Sequence, residues 1–405
     1  MSETDTTFSR RKVYLDHSAT TPADARVVQA MLPYLTEKFG NASSVHYFGQ
    51  QARAAVDRAR RQVAALIGAR ANEIIFLSGG TEANNLAIRG LCEAAEPHGR
   101  HIITSRIEHP SVAGVCEAME NRGWEVTRLP VYDQGIVKVE DVRAALRAET
   151  VLITVMLANN EIGTIQPVAE IGQLVRDERA ASKCHLWFHT DAVQAVGKIP
   201  IRLRETAINF LSLSAHKFHG PKGVGALYVN RRTRFNPLIA GGGQENGRRG
   251  GTENVAGIAG LGKAAELAVK YLEERKCSIR SMRDRFEKAI LESTSGTSVN
   301  GAGALRIPNT SSLSFEGIES PAALILLDRH GLCCSAGSAC KTGSQEASHV
   351  LRAMNPNGDG ARRSLRFSFG RFNSEAEVDH AIELVPRVIG KLRQMPAPAP
   401  VATAL

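Results

Sequence analysis

The stretch Leu211-Ser-Leu-Ser-Ala-His-Lys217-Phe-His-Gly-Pro-Lys-Gly-Val-Gly-Ala-Leu-Tyr-Val229 sets one lysine between two apolar runs that read as strands. Ser214 and His216 stand just before Lys217, and a turn rich in Gly and Pro follows it. A strand-end lysine of this kind can condense with an aldehyde, while the hydroxyl, imidazole and turn amides beside it bind a phosphate. Both requirements are those of pyridoxal phosphate. The same composition also suits a surface lysine in a plain β-turn, so the reading depends on the rest of the chain.

Outward from this stretch, short β-rich runs alternate with helical periods. Strands are predicted at 12–15, 73–77, 101–104, 125–129, 151–157, 185–189, 210–213 and 226–229. Helices are predicted at 25–39, 50–67, 82–96, 112–122 and 168–181. Such alternation implies an α/β fold, with a mainly parallel sheet between helices. After Gly260 the pattern changes to a long charged helix over 261–293, strands at 309–315 and 364–369, and helices at 321–330 and 375–392. This second part reads as a smaller α+β domain. The expected division is a large cofactor-binding domain over 12–262 and a small C-terminal domain over 263–394, with which residues 1–11 can associate. The Pro/Ala tail, 395–405, is expected to be disordered.

The chain has 405 residues, 43% of them hydrophobic, which is ordinary for a soluble α/β enzyme. No apolar run is long enough to span a bilayer. The polar start, Met1 to Arg11, lacks the apolar core of a signal peptide. A cytoplasmic location and no membrane partner are therefore expected. Net charge is +9, but Arg53, Arg58, Arg60 and Arg61 are spread along a helical segment and aromatics are only 5%. That argues against nucleic acid and for a solvated basic face, one that would suit an acidic partner protein.

The seven cysteines are Cys92, Cys116, Cys184, Cys277, Cys333, Cys334 and Cys340. An odd number with no Cys-x-x-Cys pair argues against a disulfide framework or a structural zinc site. The first four are expected to be packing residues and the 333–334 pair structural. Cys340 differs, because Ser335-Ala-Gly-Ser-Ala-Cys-Lys-Thr-Gly-Ser344 is small, polar and poor at packing. Its thiol is expected to be exposed and able to swing, with Lys341 favouring the thiolate.

Three further signals lie between these points. Ser78-Gly79-Gly80-Thr81 joins a strand to a helix and can bind an anion with its free amides. His185-Leu-Trp-Phe-His-Thr-Asp191 ends a strand in a carboxylate, 26 residues before Lys217. A carboxylate beside a pyridine nitrogen keeps it protonated and makes the ring an electron sink. Gln194 follows, where its amide could donate to the phenolic oxygen of such a ring. His109, in Ile107-Glu-His-Pro-Ser111, could stack on the ring and handle protons. Taken singly each has a plain alternative, since Gly-Gly turns, Asp caps and loop histidines are common.

Their order along the chain resembles the class V group of fold-type-I pyridoxal phosphate enzymes, and most of all the cysteine desulfurases of the NifS/IscS kind. Matching blocks run from Tyr14-Leu-Asp-His-Ser-Ala-Thr-Thr21 through Ala158-Asn-Asn-Glu-Ile-Gly163, Asp191-Ala-Val-Gln194, Ser214-Ala-His-Lys217 and Ser335-Ala-Gly-Ser-Ala-Cys340 to Leu365-Arg-Phe-Ser-Phe-Gly-Arg-Phe372. The resemblance implies a PLP-transferase fold. It makes Lys217 the Schiff-base lysine and the base that moves the Cα proton. Asp191 would hold the pyridine nitrogen, Gln194 the ring phenolate and His109 the ring face. Gly80, Thr81, Ser214 and His216 would form the phosphate cup. Thr252 would reach the phosphate of a neighbouring subunit, which implies a homodimer. Asn160, also near the cofactor, would hold the substrate carboxylate together with Arg366.

By the same resemblance, Cys340 takes sulfur from L-cysteine as a persulfide and L-alanine leaves. The sulfur then passes to an acceptor such as a NifU- or IscU-like iron–sulfur scaffold. No resident metal is implied, although the persulfide on Cys340 could ligate an iron–sulfur cluster in passing. The runs 241–250 and 331–340 resemble the NifS branch, which points to nitrogenase clusters. His17-Ser18, where that branch often has Asn, lies outside the residues assigned to chemistry. A class V aminotransferase would need Lys217, Asp191 and Arg366 but no mobile cysteine. A selenocysteine lyase and a catalytically silent cofactor-binding protein are the other readings.

Overall fold

Strand-forming runs that are buried at every position can exist only where helices cover both faces of a sheet. In the computed structural model, which describes residues 12–182, 184–337 and 347–395, several runs have that property. The first eight strands are β1 (Val13–Tyr14), β2 (Ile74–Leu77), β3 (His101–Ser105), β4 (Glu125–Leu129), β5 (Thr150–Thr154), β6 (Trp187–Asp191), β7 (Phe210–Ser214) and β8 (Gly225–Val229). Seven of them form one sheet in the order β2-β8-β7-β6-β5-β3-β4. Strand β8 is antiparallel to both its neighbours, and the other pairs are parallel. Adjacent residues feed opposite faces, as the two-residue strand period requires. Ile103, Ile153 and Leu211 enter one apolar core, while Ile102, Leu152 and Phe210 enter the other.

A second assembly follows, with β9 (Thr297–Val299), β10 (Thr310–Phe315), β11 (Leu332–Cys333) and β12 (Ser364–Ser368). Strands β12-β10-β9 make an antiparallel sheet, and β11 pairs with β1. Phe286, Phe315, Phe367 and Val385 build its core, joined by Val13 and Leu15 from the start of the chain. The helix Val255–Ser293 serves both cores, through Leu261 and Ala265 at one end and Phe286 and Ile290 at the other. Residues 262 and 263 lie inside this helix.

Some elements differ from the sequence reading. The helix expected over 25–39 is two short ones, Ala25–Met31 and Pro33–Thr36, since Pro33 has no N–H to continue the first. The helix expected over 82–96 starts at Gly80 and widens into a π turn at Leu86–Gly90, where Gly90 O accepts a bond from Asn236 N at 2.9 Å. Strand β6 runs to Asp191, so that carboxylate is carried by the ladder itself. Cys92 and Cys116 are packing residues as expected, but Cys184 is only half-buried. Cys277 is exposed, because it occupies a solvent-facing position of the long helix.

One glycine in the β7–β8 pair fixes how the first loop approaches the sheet. A Cβ on Gly225 would lie 2.6 Å from Leu213 O and 2.8 Å from Gly79 Cα. Overpacking of this kind costs about 1–3 kcal/mol. Gly225→Ala is therefore expected to lower the urea midpoint with an unchanged slope; an unchanged midpoint would refute the close approach.

Candidate active site

The parallel strands β5, β6 and β7 end together, and the residues marked for chemistry gather at those ends. Strand β7 finishes at Ser214, and a single 3-10 turn, Ala215–Lys217, carries the lysine out of the sheet. The chain then passes through His219 at φ 70, a left-handed conformation that costs a non-glycine residue about 1 kcal/mol or more. The segment after β1 holds this turn. Thr21 N and Oγ1 both donate to His216 O at 2.9 Å, and His219 N donates to Thr21 Oγ1 at 2.8 Å. Lys217 Nζ donates to Ser18 O at 2.7 Å and Ala19 O at 2.8 Å. Gln194 Nε2 donates to the same Ser18 O at 2.9 Å.

Asp191 is buried and doubly bonded. Its Oδ1 accepts from Val193 N at 2.9 Å and its Oδ2 from Asn84 Nδ2 at 2.7 Å. Asn84 Nδ2 also donates to Ser111 Oγ at 2.8 Å, and that hydroxyl lies 2.8 Å from His109 Nδ1. Because Nδ1 also accepts from Ser111 N at 3.2 Å, the proton of the neutral ring resides on Nε2. Burial pushes the His109 pKa down, with Lys217 adding to it and Asp191 opposing.

The expected phosphate cup is built at close quarters. A Cβ on Gly80 would lie 2.8 Å from Val193 Cγ2 and 3.6 Å from Ser214 Cβ, so a side chain at this position would have to displace Val193. Thr81 follows Gly80 in the first turn of the helix. Glu82 anchors the loop by accepting from Ser78 N at 2.6 Å and pairing with Arg249 at 2.9 Å. His216 Nδ1 lies 3.1 Å from Thr20 Oγ1, and burial and then Lys217 push its pKa down to about 4. Thr252 is exposed and lines a recess beside Ser78 and Arg249.

Arg366, 2% exposed, stands at the junction of the two cores. Its Nη2 donates to Asp16 Oδ1 and its Nη1 to Asn160 O, each at 2.8 Å. Asn160 thus meets Arg366 through its backbone rather than its side chain. Two buried polar atoms here lack partners among the described residues: Asn160 Oδ1 and Arg366 Nε. Unpartnered buried groups mark places where a ligand completes the hydrogen bonding. Together with the glycine cradle and the strand-end lysine and carboxylate, they fit pyridoxal phosphate and an amino acid carboxylate.

Cys340 lies outside the described residues. Its loop is rooted on both sides, however. Arg366 N donates to Ser335 O at 2.6 Å and Ser335 N to Arg366 O at 3.1 Å, while Ser348 Oγ donates to Glu161 Oε2 at 2.5 Å. Cys333 and Cys334 are half-buried, and burial raises the Cys334 thiol pKa, which suits a structural role.

The sequence reading left His17-Ser18 outside the residues assigned to chemistry, and the structure sets them, with Asp16, against those residues. Asp16 pairs with Arg366, Ser18 O receives Lys217 and Gln194, and His17 is buried, its pKa pushed down to about 4 by burial and then by Lys198. Asn84, Ser111 and Lys198 were also missed. A mid-helix Asn-Asn pair at 84–85 was a usable signal, since such residues disfavour helix interiors.

Two outcomes are expected from these contacts. Asp16→Ala leaves the Arg366 cation buried and unpaired, and should cost about 3 kcal/mol in denaturant unfolding; a neutral result would mean that the pair is dispensable. Glu108 Oε1 accepts from Ser105 Oγ at 2.6 Å and Met156 N at 3.0 Å, its Oε2 has no partner among the described residues, and burial pushes its pKa up to about 8. A raised folded pKa gives stability that is full below the ordinary carboxyl value of about 4.3 and is lost as pH rises to about 8. Glu108→Gln removes that titration, so its melting temperature should gain on the parent between pH 5 and pH 8. A constant gap would show Glu108 to be ionised throughout.

The chain matches the family model described as aminotransferase class-V over residues 13–381. It is 48% identical over 383 residues to a cysteine desulfurase of Trichormus azollae, covering 95% of this chain and 94% of that protein. It is 46% identical over 384 residues to the cysteine desulfurase IscS of Dictyoglomus turgidum, covering 95% and 96%. A solved NifS-like protein superposes with a TM-score of 0.87 at 36% identity, covering 94% of this chain and all of that one. The ladder-borne Asp191, the Lys217 turn and the Arg366 junction thus sit in a chain that belongs to the aminotransferase class-V family, among its cysteine desulfurases.

Proposed function

We propose that this protein takes sulfur from L-cysteine with pyridoxal phosphate, releases L-alanine and carries the sulfur as a persulfide on Cys340. The observation that carries the reading is the rooting of the Cys340 loop on the backbone of Arg366, the buried arginine whose Nε awaits a partner. One residue thereby links recognition of a carboxylate to the position of the nucleophile. An aminotransferase would have no use for that linkage.

The cofactor, when bound, supplies the aldehyde and a ring that withdraws electrons from Cα. Lys217 Nζ provides the amine for that aldehyde and then serves as the base at Cα. Asp191, held in place by Asn84 and Val193, would face the pyridine nitrogen. His109, with its proton on Nε2, would lie on the ring face, and Gln194 would give an N–H to the phenolic oxygen. Gly80, Thr81, Ser214 and His216 receive the phosphate. Arg366 and Asn160 orient the substrate carboxylate. The Cys340 thiolate attacks the substrate sulfur; the S–S bond forms as Cβ–S breaks, and the electron pair left on carbon is protonated to give alanine.

The active unit is a cytoplasmic homodimer in which Thr252 of each protomer completes the phosphate site of the other. Exposed Leu35, Phe39, Val45, Tyr47 and Phe48 around a small-residue loop favour a covered face there. Among the described residues no helix is long and apolar enough to cross a membrane. The seam between a large cofactor domain and a small one lies within Val255–Ser293. The acceptor is an iron–sulfur scaffold of the NifU or IscU kind, and the likeness of runs 241–250 and 331–340 to the NifS branch favours nitrogenase clusters as the destination.

With L-cysteine and a thiol reductant, alanine and sulfide are expected in equal amounts. Cys340→Ser should abolish sulfide release on L-cysteine while the visible band of the bound cofactor persists. Alanine without matching sulfide would overturn the reading, and activity on selenocysteine surviving in Cys340→Ser would favour a lyase. Arg366→Lys is expected to raise KM for L-cysteine at least tenfold, since a single ammonium cannot hold Asp16 and Asn160 O and still offer a directed donor to the carboxylate.

A further inference from the structure

Lys198 is a second lysine in the recess that holds Lys217, and the reaction as derived gives it no task. It lies four residues after Gln194, in the turn that follows β6. Its Nζ donates to Gln194 Oε1 at 2.6 Å, the only polar partner it has among the described residues. The charged and titratable groups that act on it or feel it are Lys217, Arg366, His17 and His216, none of them acidic. A half-buried amine set against cations, its pKa pushed well down by burial and then by Lys217 and Arg366, with one neutral amide oxygen as its partner, is an unfavourable arrangement for stability alone.

Its consequence is a fixed carboxamide. An amine always has an N–H to give, so the Gln194 atom that faces it is the oxygen. Ser18 O can only accept, so the Gln194 atom that faces it, 2.9 Å away, is the nitrogen. Rotating the amide by half a turn would set acceptor against acceptor at Ser18 and forfeit the N–H that Lys198 gives to Oε1. The two contacts therefore hold the Gln194 NH2 on the side of Lys217, which shares Ser18 O at 2.7 Å. One N–H serves Ser18 and the other remains for a ligand oxygen.

We propose that Lys198 is a positioning residue for the cofactor: it locks the Gln194 amide so that an N–H points to the ring oxygen of pyridoxal phosphate. The inference rests on the reading that Gln194 faces that oxygen. It predicts a selective loss. An effect routed through the amide concerns only the ring hydroxyl, whereas a general charge effect concerns the whole anionic cofactor.

The test is equilibrium binding to the apoprotein of pyridoxal phosphate and of 3-deoxypyridoxal phosphate, which lacks the ring hydroxyl. Lys198→Met is expected to weaken pyridoxal phosphate binding about five- to tenfold, as for one oriented hydrogen bond, and to leave the deoxy analogue unchanged. The double variant with Gln194→Ala should bind no more weakly than Gln194→Ala alone, since the two act as one unit. Lys198→Arg, which keeps an N–H donor, should retain the parent's preference for the hydroxylated cofactor, and its losing that preference would overturn the proposal without reliance on Lys198→Met folding. Equal loss on both ligands, or no loss on either, would also overturn it while Gln194→Ala still discriminated between them. If Gln194→Ala failed to discriminate, the ring-oxygen reading itself would fall, and the role of Lys198 with it.

Discussion

Arg366 is the point on which the site hangs. It is almost fully buried and draws together three stretches that are far apart in sequence: Asp16 after β1, Asn160 after β5, and Ser335 at the root of the Cys340 loop. Its stem belongs to β12 in the smaller core, while Asn160 belongs to the larger sheet. A buried guanidinium is tolerated only when its donors are paired, and here the pairing itself determines how the two cores meet. In the proposed reaction the substrate carboxylate would meet a cation already aimed, whose Nε has no partner among the described residues.

The electrical character of the interior follows from the same economy of pairing. Lys217, Lys198 and Arg366 crowd one region, and the imidazoles of His17, His109 and His216 are driven towards neutrality by burial and by those cations. Neutral histidines keep an acceptor nitrogen and add no further repulsion. Such a region is costly until anions arrive, and pyridoxal phosphate and an amino acid carboxylate are anions. Asp191 is the carboxylate among them, and it accepts two hydrogen bonds, from Asn84 Nδ2 and Val193 N.

What could be read in the sequence was what strand ends make legible. Asp191, Ser214 and Lys217 follow runs whose burial follows from their composition, so the chemistry-bearing ends of β6 and β7 and their order were visible. The helix covering them and the second, smaller assembly were visible too, because apolar periodicity survives without tertiary information. Partners that act through the backbone were not. Ser18 contributes a carbonyl, and Asn160 meets Arg366 through its own, so side-chain identity says nothing about either contact. His17 and Ser18 were set aside because residues just past a two-residue strand have no periodicity to mark them, and the pairing of that strand with β11 is a long-range event. The break at Pro33 could have been foreseen from proline's missing N–H, whereas the π turn at 86–90 depends on contact with Asn236 and could not.

The rooting of the Cys340 loop shows why such a protein needs two cores. A nucleophile that must reach both a buried cofactor and an outside acceptor has to be carried by a loose loop, yet the loop must start from a fixed place. Ser335 provides one fixed end by pairing with Arg366, and Ser348 the other by bonding to Glu161. Glu161 is itself held next to Asn160, with its backbone N–H on Asn159 Oδ1 at 2.8 Å. Ser335 and Ser348, on either side of Cys340 in sequence, are therefore fastened to Arg366 and to the neighbour of Asn160, the pair proposed to receive the carboxylate.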